Sequence, residues 1–274
     1  MPVWMCRSCG VEHALTAQPP EGCAICADDR EDKALHGPRW TTLEELRSAG
    51  HETRIEQLEP DLYGIRVVPR VGIGQRALLL RTPAGNLLWD PTGFLDSAAI
   101  ERVQELGGAA FIIASHPHMY GVQVEWSHAL GGVPVLVAEA DRQWVQRQDP
   151  AIGSWSGQRQ LLPGVRLHTL GGHFPGSAVV HWEAGAQGRG VLLAGDTLHV
   201  NPDRRTVAFM RSYVNQYPLS PAVVQRIAAA ATALEFDRLY SNTGGTIDAG
   251  ARDAVARSAA RHVAWVRGDH DHLT

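Results

Sequence analysis

The stretch Ala114-Ser115-His116-Pro117-His118-Met119-Tyr120-Gly121 decides how the rest of this chain is read. It follows Ala109-Ala110-Phe111-Ile112-Ile113, a continuous apolar run of the kind that forms a strand buried on both faces. Two imidazoles one residue apart, where a strand breaks into a loop, can converge on one metal ion. An isolated His-x-His arises by chance in many proteins, so its meaning rests on its company.

Working outward, three more loops follow apolar strands. Trp89-Asp90-Pro91-Thr92-Gly93 places an aspartate directly after a strand. Gly171-Gly172-His173-Phe174-Pro175-Gly176-Ser177 places a histidine between two strands, and Leu192-Leu193-Ala194-Gly195-Asp196-Thr197-Leu198 a second strand-end aspartate. Loops at strand ends are where a rigid scaffold aims ligands at one point. Strands are expected at 55–58, 62–68, 77–80, 87–90, 133–137, 160–161, 165–170, 177–182, 191–194, 206–210 and 238–240, with a turn at 83–86. Thr42-x-x-Glu45 is a capping-box signal for a short helix ending at Gly50. Ile100, Val103 and Leu106 give helical spacing over 96–106, stopped by Gly107-Gly108. Further helices are expected at 122–130, near 139–146, at 221–234 and from about 249 to 266. Strand runs covered by helices on both sides imply an α+β chain built as a four-layer αββα sandwich.

With 274 residues, 44% hydrophobic and 20% charged, the chain can bury a sizeable core. A formal net charge of -4 gives no electrostatic footprint for nucleic acid. No apolar run approaches the ~18 residues of a membrane span, and no charged-then-apolar leader pattern is seen. The expectation is a cytoplasmic protein that contacts neither membrane nor nucleic acid.

All four cysteines fall early: Cys6 and Cys9, then Cys23 and Cys26, two C-x-x-C knuckles thirteen residues apart. Each knuckle points two thiolates at one ion, and together they offer a tetrahedral S4 site. The text Trp4-x-Cys6-Arg7-Ser8-Cys9-Gly10 and Pro19-Pro20-Glu21-Gly22-Cys23-Ala24-Ile25-Cys26 resembles the small ribbon of rubrerythrins and rubredoxins. It departs from that ribbon at Ala27, where a glycine often follows the last cysteine. Zinc is the expected ion and iron the alternative, and so short a segment would draw its folding energy from the metal. The domain reading is a four-cysteine ribbon at 1–30, a linker and short helix at 31–50, and the main domain at 51–274.

The succession of Asp90, His116-x-His118, Gly172-His173-x-Pro175-Gly176-Ser177 and Gly195-Asp196-Thr197 resembles the metallo-β-lactamase fold in order and spacing. The resemblance covers roughly residues 50 to 270. It implies that His116, His118 and His173 are the histidines of a metal site holding zinc or iron. It further implies that Asp196 is its carboxylate, as ligand or base, and that Asp90 supports the ligand loops. The departures matter equally. Where the family continues the histidine pair with an Asp-His doublet, this chain has Tyr120-Gly121. Where the family places its last ligand histidine, it has Tyr240-Ser241-Asn242-Thr243-Gly244-Gly245. Three ligands of a second metal are therefore absent.

The resemblance thus implies a one-metal hydrolase in which a metal-activated water attacks a small ester, thioester or lactone. Tyr120 is expected to donate its phenol to the substrate. Two other classes compete: a binding or regulatory module with a decayed site, and an iron electron-transfer protein. The ribbon offers a surface for a protein partner or a second copy of the chain. His128, His168 and His181 fall on helix or strand positions and read as structural. His199 reads as a packing residue near Asp196, Arg204-Arg205 as a solvated loop pair, and His270-Asp271-His272 as a tail.

Overall fold

The computed structural model describes residues 1–31 and 39–274; residues 32–38, most of the expected linker, lie outside the described residues. The chain forms two compact units, Met1–Trp155 and Ser156–Thr274.

In the first unit, β1 (Val3–Cys6), β2 (Glu12–Leu15) and β3 (Trp40–Thr41) make a small antiparallel sheet in the order β2-β1-β3. Helix α1 (Leu43–Ser48) begins at the expected capping box, with Thr42 accepting from the Glu45 amide and Glu45 closing back on Thr42. A seven-stranded sheet follows, built from β4 (Glu52–Glu59), β5 (Leu62–Val68), β6 (Ala77–Thr82), β7 (Gly85–Trp89), β8 (Phe111–Ile113), β9 (Val135–Ala138) and β10 (Ile152–Trp155), in simple reverse order across the sheet. Strands β4 to β7 form an antiparallel meander, while β7 to β10 run parallel. Parallel neighbours need crossovers, and α2 (Ser97–Glu105) and α3 (Gln123–Ala129) supply the first two. The outermost strand β4, with its alternating charged residues, is an edge kept from pairing further.

The core of this unit runs without a break from Met5, Val11 and Ile25 of the ribbon through Phe94, Met119, Tyr120 and Trp126 to Val135. The ribbon therefore shares a core with the large sheet instead of building one of its own. Two backbone approaches show how close that packing is. A Cβ on Gly72 would lie 2.6 Å from the Cys9 carbonyl carbon, and one on Gly121, at φ +51°, would lie 2.6 Å from the Thr92 oxygen. Only glycine fits either position.

In the second unit, β11 (Gln158–Leu162), β12 (Val165–Thr169), β13 (Ala178–Trp182) and β14 (Val191–Ala194) form an antiparallel meander, with the turn α4 (Gly185–Gly188) before β14. Two hairpins follow, β15 (His199–Val200) with β16 (Val207–Ala208) and β17 (Met210–Ser212) with β18 (Tyr217–Pro218). Helix α5 (Pro221–Thr232) then crosses to β19 (Arg238–Ser241), which pairs parallel with β14 and antiparallel with β20 (Thr246–Ile247). The final helix α6 (Ala251–Arg267) packs on α5, and Val224, Ile227, Ala231, Val255 and Val263 close over Val179, Leu192 and Leu239 of the sheet.

The helix expected near 139–146 is a 3-10 helix over Glu139–Trp144. Other stretches depart from the expected pattern. Strand β10 has no counterpart in the expected pattern, because Ile152-Gly153-Ser154-Trp155 carries a glycine and only weak alternation. The single strand expected over 206–210 is split between two hairpins.

Candidate metal centres

Four loops that carry candidate ligands leave the C-terminal ends of strands. Asp90 follows β7 and His116 follows the neighbouring parallel strand β8, with His118 in a 3-10 turn over Pro117–Met119. Asp90 takes φ 54°, a backbone state that aspartate tolerates, and its buried Oδ1 accepts the Ser115 amide at 2.6 Å. The Ser115 hydroxyl lies 2.9 Å from His116 Nδ1. The Asp90 carboxylate thus holds the entry to the histidine turn, and the outer nitrogen of His116 is engaged.

The same device recurs on β14 and β19. Asp196 follows β14 and Asn242 follows its parallel neighbour β19. Asn242 Nδ2 donates to Asp196 Oδ1 at 3.2 Å, and His199 Nδ1 lies 3.4 Å from that oxygen. His173 sits in the glycine-flanked loop between β12 and β13, its Nδ1 3.3 Å from the Met210 carbonyl and its Nε2 3.7 Å from Asp196 Oδ2. Thr197 donates to the Gly171 carbonyl at 3.0 Å and so ties the aspartate loop to the histidine loop. Tyr213, which sequence gave no reason to single out, packs against His199 at 4.7 Å between ring centres and donates to the Asp196 main-chain oxygen at 2.8 Å. Burial, and then the Asp196 carboxylate, raise its phenol well above the usual range, so it stays protonated as a donor.

One ligand atom from each of His116, His118, His173 and Asp196 lies within 4.8 Å of the other three. The histidines are almost fully enclosed, while the Asp196 side chain keeps 14% of its surface open. The donor chemistry fits a divalent metal. Three imidazoles and a carboxylate converge, and in His116 and His173 the ring nitrogen turned away from the cluster already has a partner.

The second cluster is the ribbon. Cys6 and Cys26 sulfurs are 3.6 Å apart and Cys9 and Cys23 sulfurs 3.8 Å, and all four lie within 4.8 Å of one another. These spacings exclude disulfides, whose sulfurs sit about 2.05 Å apart. They match the edges of a tetrahedron with metal–sulfur bonds of about 2.3 Å. The neighbouring Cys26 thiol, with help from Cys6 and Cys9, pulls Cys23 far below its ordinary range, the state a metal thiolate needs.

The ribbon is fastened to the histidine loop from behind. The Glu12 amide donates to the Gly121 carbonyl at 3.0 Å. The Glu12 carboxylate accepts from the Val124 amide at 2.5 Å and pairs with Arg147 at 2.7 Å. Burial raises Glu12 to about 7 in spite of that guanidinium. Tyr120-Gly121 is therefore a docking point for the ribbon. Tyr120, the expected phenol donor, is buried in the core, and its hydroxyl donates to the Asp141 carbonyl at 3.1 Å.

Among solved structures, the chain is similar to the metallo-β-lactamase DIM-1 (11% identical, TM-score 0.57, covering 77% of this chain and 97% of that one). It is similar also to a metallo-β-lactamase of Cronobacter sakazakii (18%, 0.52, 82% and 97%) and to a B3 metallo-β-lactamase with an active-site glutamic acid (17%, 0.52, 83% and 96%). The chain has the metallo-β-lactamase fold, preceded by a four-cysteine ribbon. No protein-family model matches it. It is 42% identical over 265 residues to the uncharacterized protein YmaE of Bacillus subtilis (strain 168), covering 96% of each chain, and it belongs to the same family as that protein.

Proposed function

We propose that this chain is a metal-dependent hydrolase with one ion at His116, His118, His173 and Asp196, acting on a small ester, thioester or lactone. The observation that carries the one-metal reading is the state of Asp196. Its Oδ2 faces His173 while its Oδ1 is taken up by Asn242 and His199. Asn242 lies in the segment where the fold's dinuclear enzymes carry a histidine, and Tyr120-Gly121 serves the ribbon. A bound metal supplies Lewis acidity and a water acidified to a pKa of about 7.

The chain's own groups set the remaining chemistry. Asp196 is the most open member of the cluster and so faces incoming substrate, placed to take a proton from the attacking water. Asn242 and His199 orient it. The sequence lacks the ligands of a second metal that would stabilise a poor leaving nitrogen, which favours leaving groups that depart as alkoxide or thiolate over amides. Zinc is the proposed ion at both clusters, and the proposed location is cytoplasmic. No helix among the described residues is long and apolar enough to cross a membrane.

Metal analysis of protein purified without added metal tests this reading together with turnover of ester, thioester and lactone substrates. Zinc in both clusters, with turnover abolished by chelation, is the expected result. Metal in the ribbon alone and no turnover would replace the hydrolase with a binding module; iron in both clusters would point to electron transfer.

A further inference from the structure

The ribbon does more than dock behind the histidine loop. Its second knuckle continues into a short turn: the Ala27 amide donates to the Cys23 carbonyl at 3.0 Å, and the Glu31 amide to the Asp28 carbonyl at 3.0 Å. Within that turn the Arg30 amide donates to Asp28 Oδ1 at 3.1 Å, and its guanidinium pairs with the same oxygen at 2.5 Å. The turn delivers the Glu31 carboxylate to His118, with Oε1 3.8 Å from Nδ1. Only 7% of the Glu31 side chain and 1% of the His118 side chain are exposed. A carboxylate beside a ligand imidazole favours the imidazole's metal-polarised state.

We propose that Glu31 is a positioning residue for the histidine cluster: a carboxylate carried by the ribbon that orients His118 and favours its metal-loaded state. The four-cysteine cluster fixes the knuckle, the knuckle fixes the turn, and the turn fixes Glu31, so loading of the cysteine cluster raises metal affinity at the histidine cluster. Carboxylates that orient a ligand histidine are worth about 10- to 100-fold in metal affinity elsewhere. The 3.8 Å separation, longer than a direct hydrogen bond, places Glu31 at the lower end of that range. This inference rests on the proposed metal site.

The test is a cobalt(II) titration of the full chain, in which thiolate charge-transfer bands report the cysteine cluster and weaker visible bands report the histidine cluster. Glu31→Gln, nearly equal in volume, is expected to weaken cobalt at the histidine cluster about tenfold. Binding at the cysteine cluster and the unfolding temperature should stay unchanged. Cys26→Ser should weaken the histidine cluster in the wild-type background but add nothing to Glu31→Gln, since both act through one carboxylate. Histidine-cluster binding in Glu31→Gln equal to wild type would overturn the inference while leaving the hydrolase reading intact. Absence of cobalt at the histidine cluster of the wild-type protein would overturn both.

Discussion

The two ligand clusters are built in opposite ways. The cysteines sit on a ribbon whose three strands span only two to four residues and whose apolar side chains belong to a core shared with the large sheet. The histidine cluster sits on loops fastened by hydrogen bonds that need no metal: Asp90 to Ser115, Ser115 to His116, Thr197 to Gly171 and Asn242 to Asp196. On the proposed reading an ion in the ribbon would organise its knuckles, while the histidine loops already have hydrogen bonds that need none. The first arrangement would store folding energy in metal–thiolate bonds once an ion is bound. The second is the preorganisation that catalysis requires.

The largest effect should come from the ribbon. Cys9→Ser is expected to empty the cysteine cluster and lower the unfolding temperature by about 10 °C, corresponding to about 4 kcal/mol for a chain of this size. Calorimetry with metal analysis checks it. An unchanged unfolding temperature would break the contrast, because the ribbon would then stand on its shared core alone.

The ribbon's attachment should also be sensitive to pH. Glu12, raised by burial to about 7 from an ordinary 4.5, binds its proton more tightly in the folded chain than in the unfolded one. Its contribution to stability is therefore complete below about pH 4.5 and is lost as pH rises through 7, by about 3 kcal/mol at most. Arg147, Glu125 and the Val124 amide are the groups that face it. Urea unfolding of wild type and Glu12→Gln between about pH 5 and 8 isolates this contribution. The stability difference between them should shift in favour of the glutamine variant as pH rises, and a constant difference would remove Glu12 as the source.

At the histidine cluster the signature reverses. His173→Ala should lower kcat/KM by at least about 100-fold, near 2.7 kcal/mol in transition-state stabilisation. The unfolding temperature and the ribbon metal should barely move. A large loss of stability in this variant would show that the ion, not the hydrogen-bonded loops, holds this site together.

The sequence made much of this legible, for identifiable reasons. Strands buried on both faces, such as β8 and β14, announce themselves as apolar runs, and the histidine and aspartate loops follow them directly. The C-x-x-C spacing predicts the sulfur tetrahedron because four residues are enough to define each knuckle. What stayed hidden depends on contacts distant in sequence. Nothing local marks Glu12 as the partner of Arg147, 135 residues away. Nothing marks Glu31 as the neighbour of His118. The contact of Tyr120 is hidden for the same reason: its place in the motif says nothing about the Asp141 carbonyl that accepts its hydrogen bond.

Asn242 offers the finest adjustment of the comparison. The segment around it is notable in sequence for the histidine it lacks; in the structure an amide from that segment donates to Asp196 Oδ1. If the loops are preorganised by such bonds, removing one should misplace the carboxylate without emptying the site. Asn242→Ala is therefore expected to leave metal content intact and to lower kcat about tenfold, roughly 1.4 kcal/mol, with KM little changed. Asn242→Asp sharpens the test, because it replaces the donor with a like charge beside Asp196 and should raise the carboxylate's pKa. The acidic limb of the pH–rate profile should then move upward. A loss of metal in the alanine variant would instead make Asn242 part of the ion's support, and the histidine cluster would resemble the ribbon more closely than its hydrogen bonds suggest.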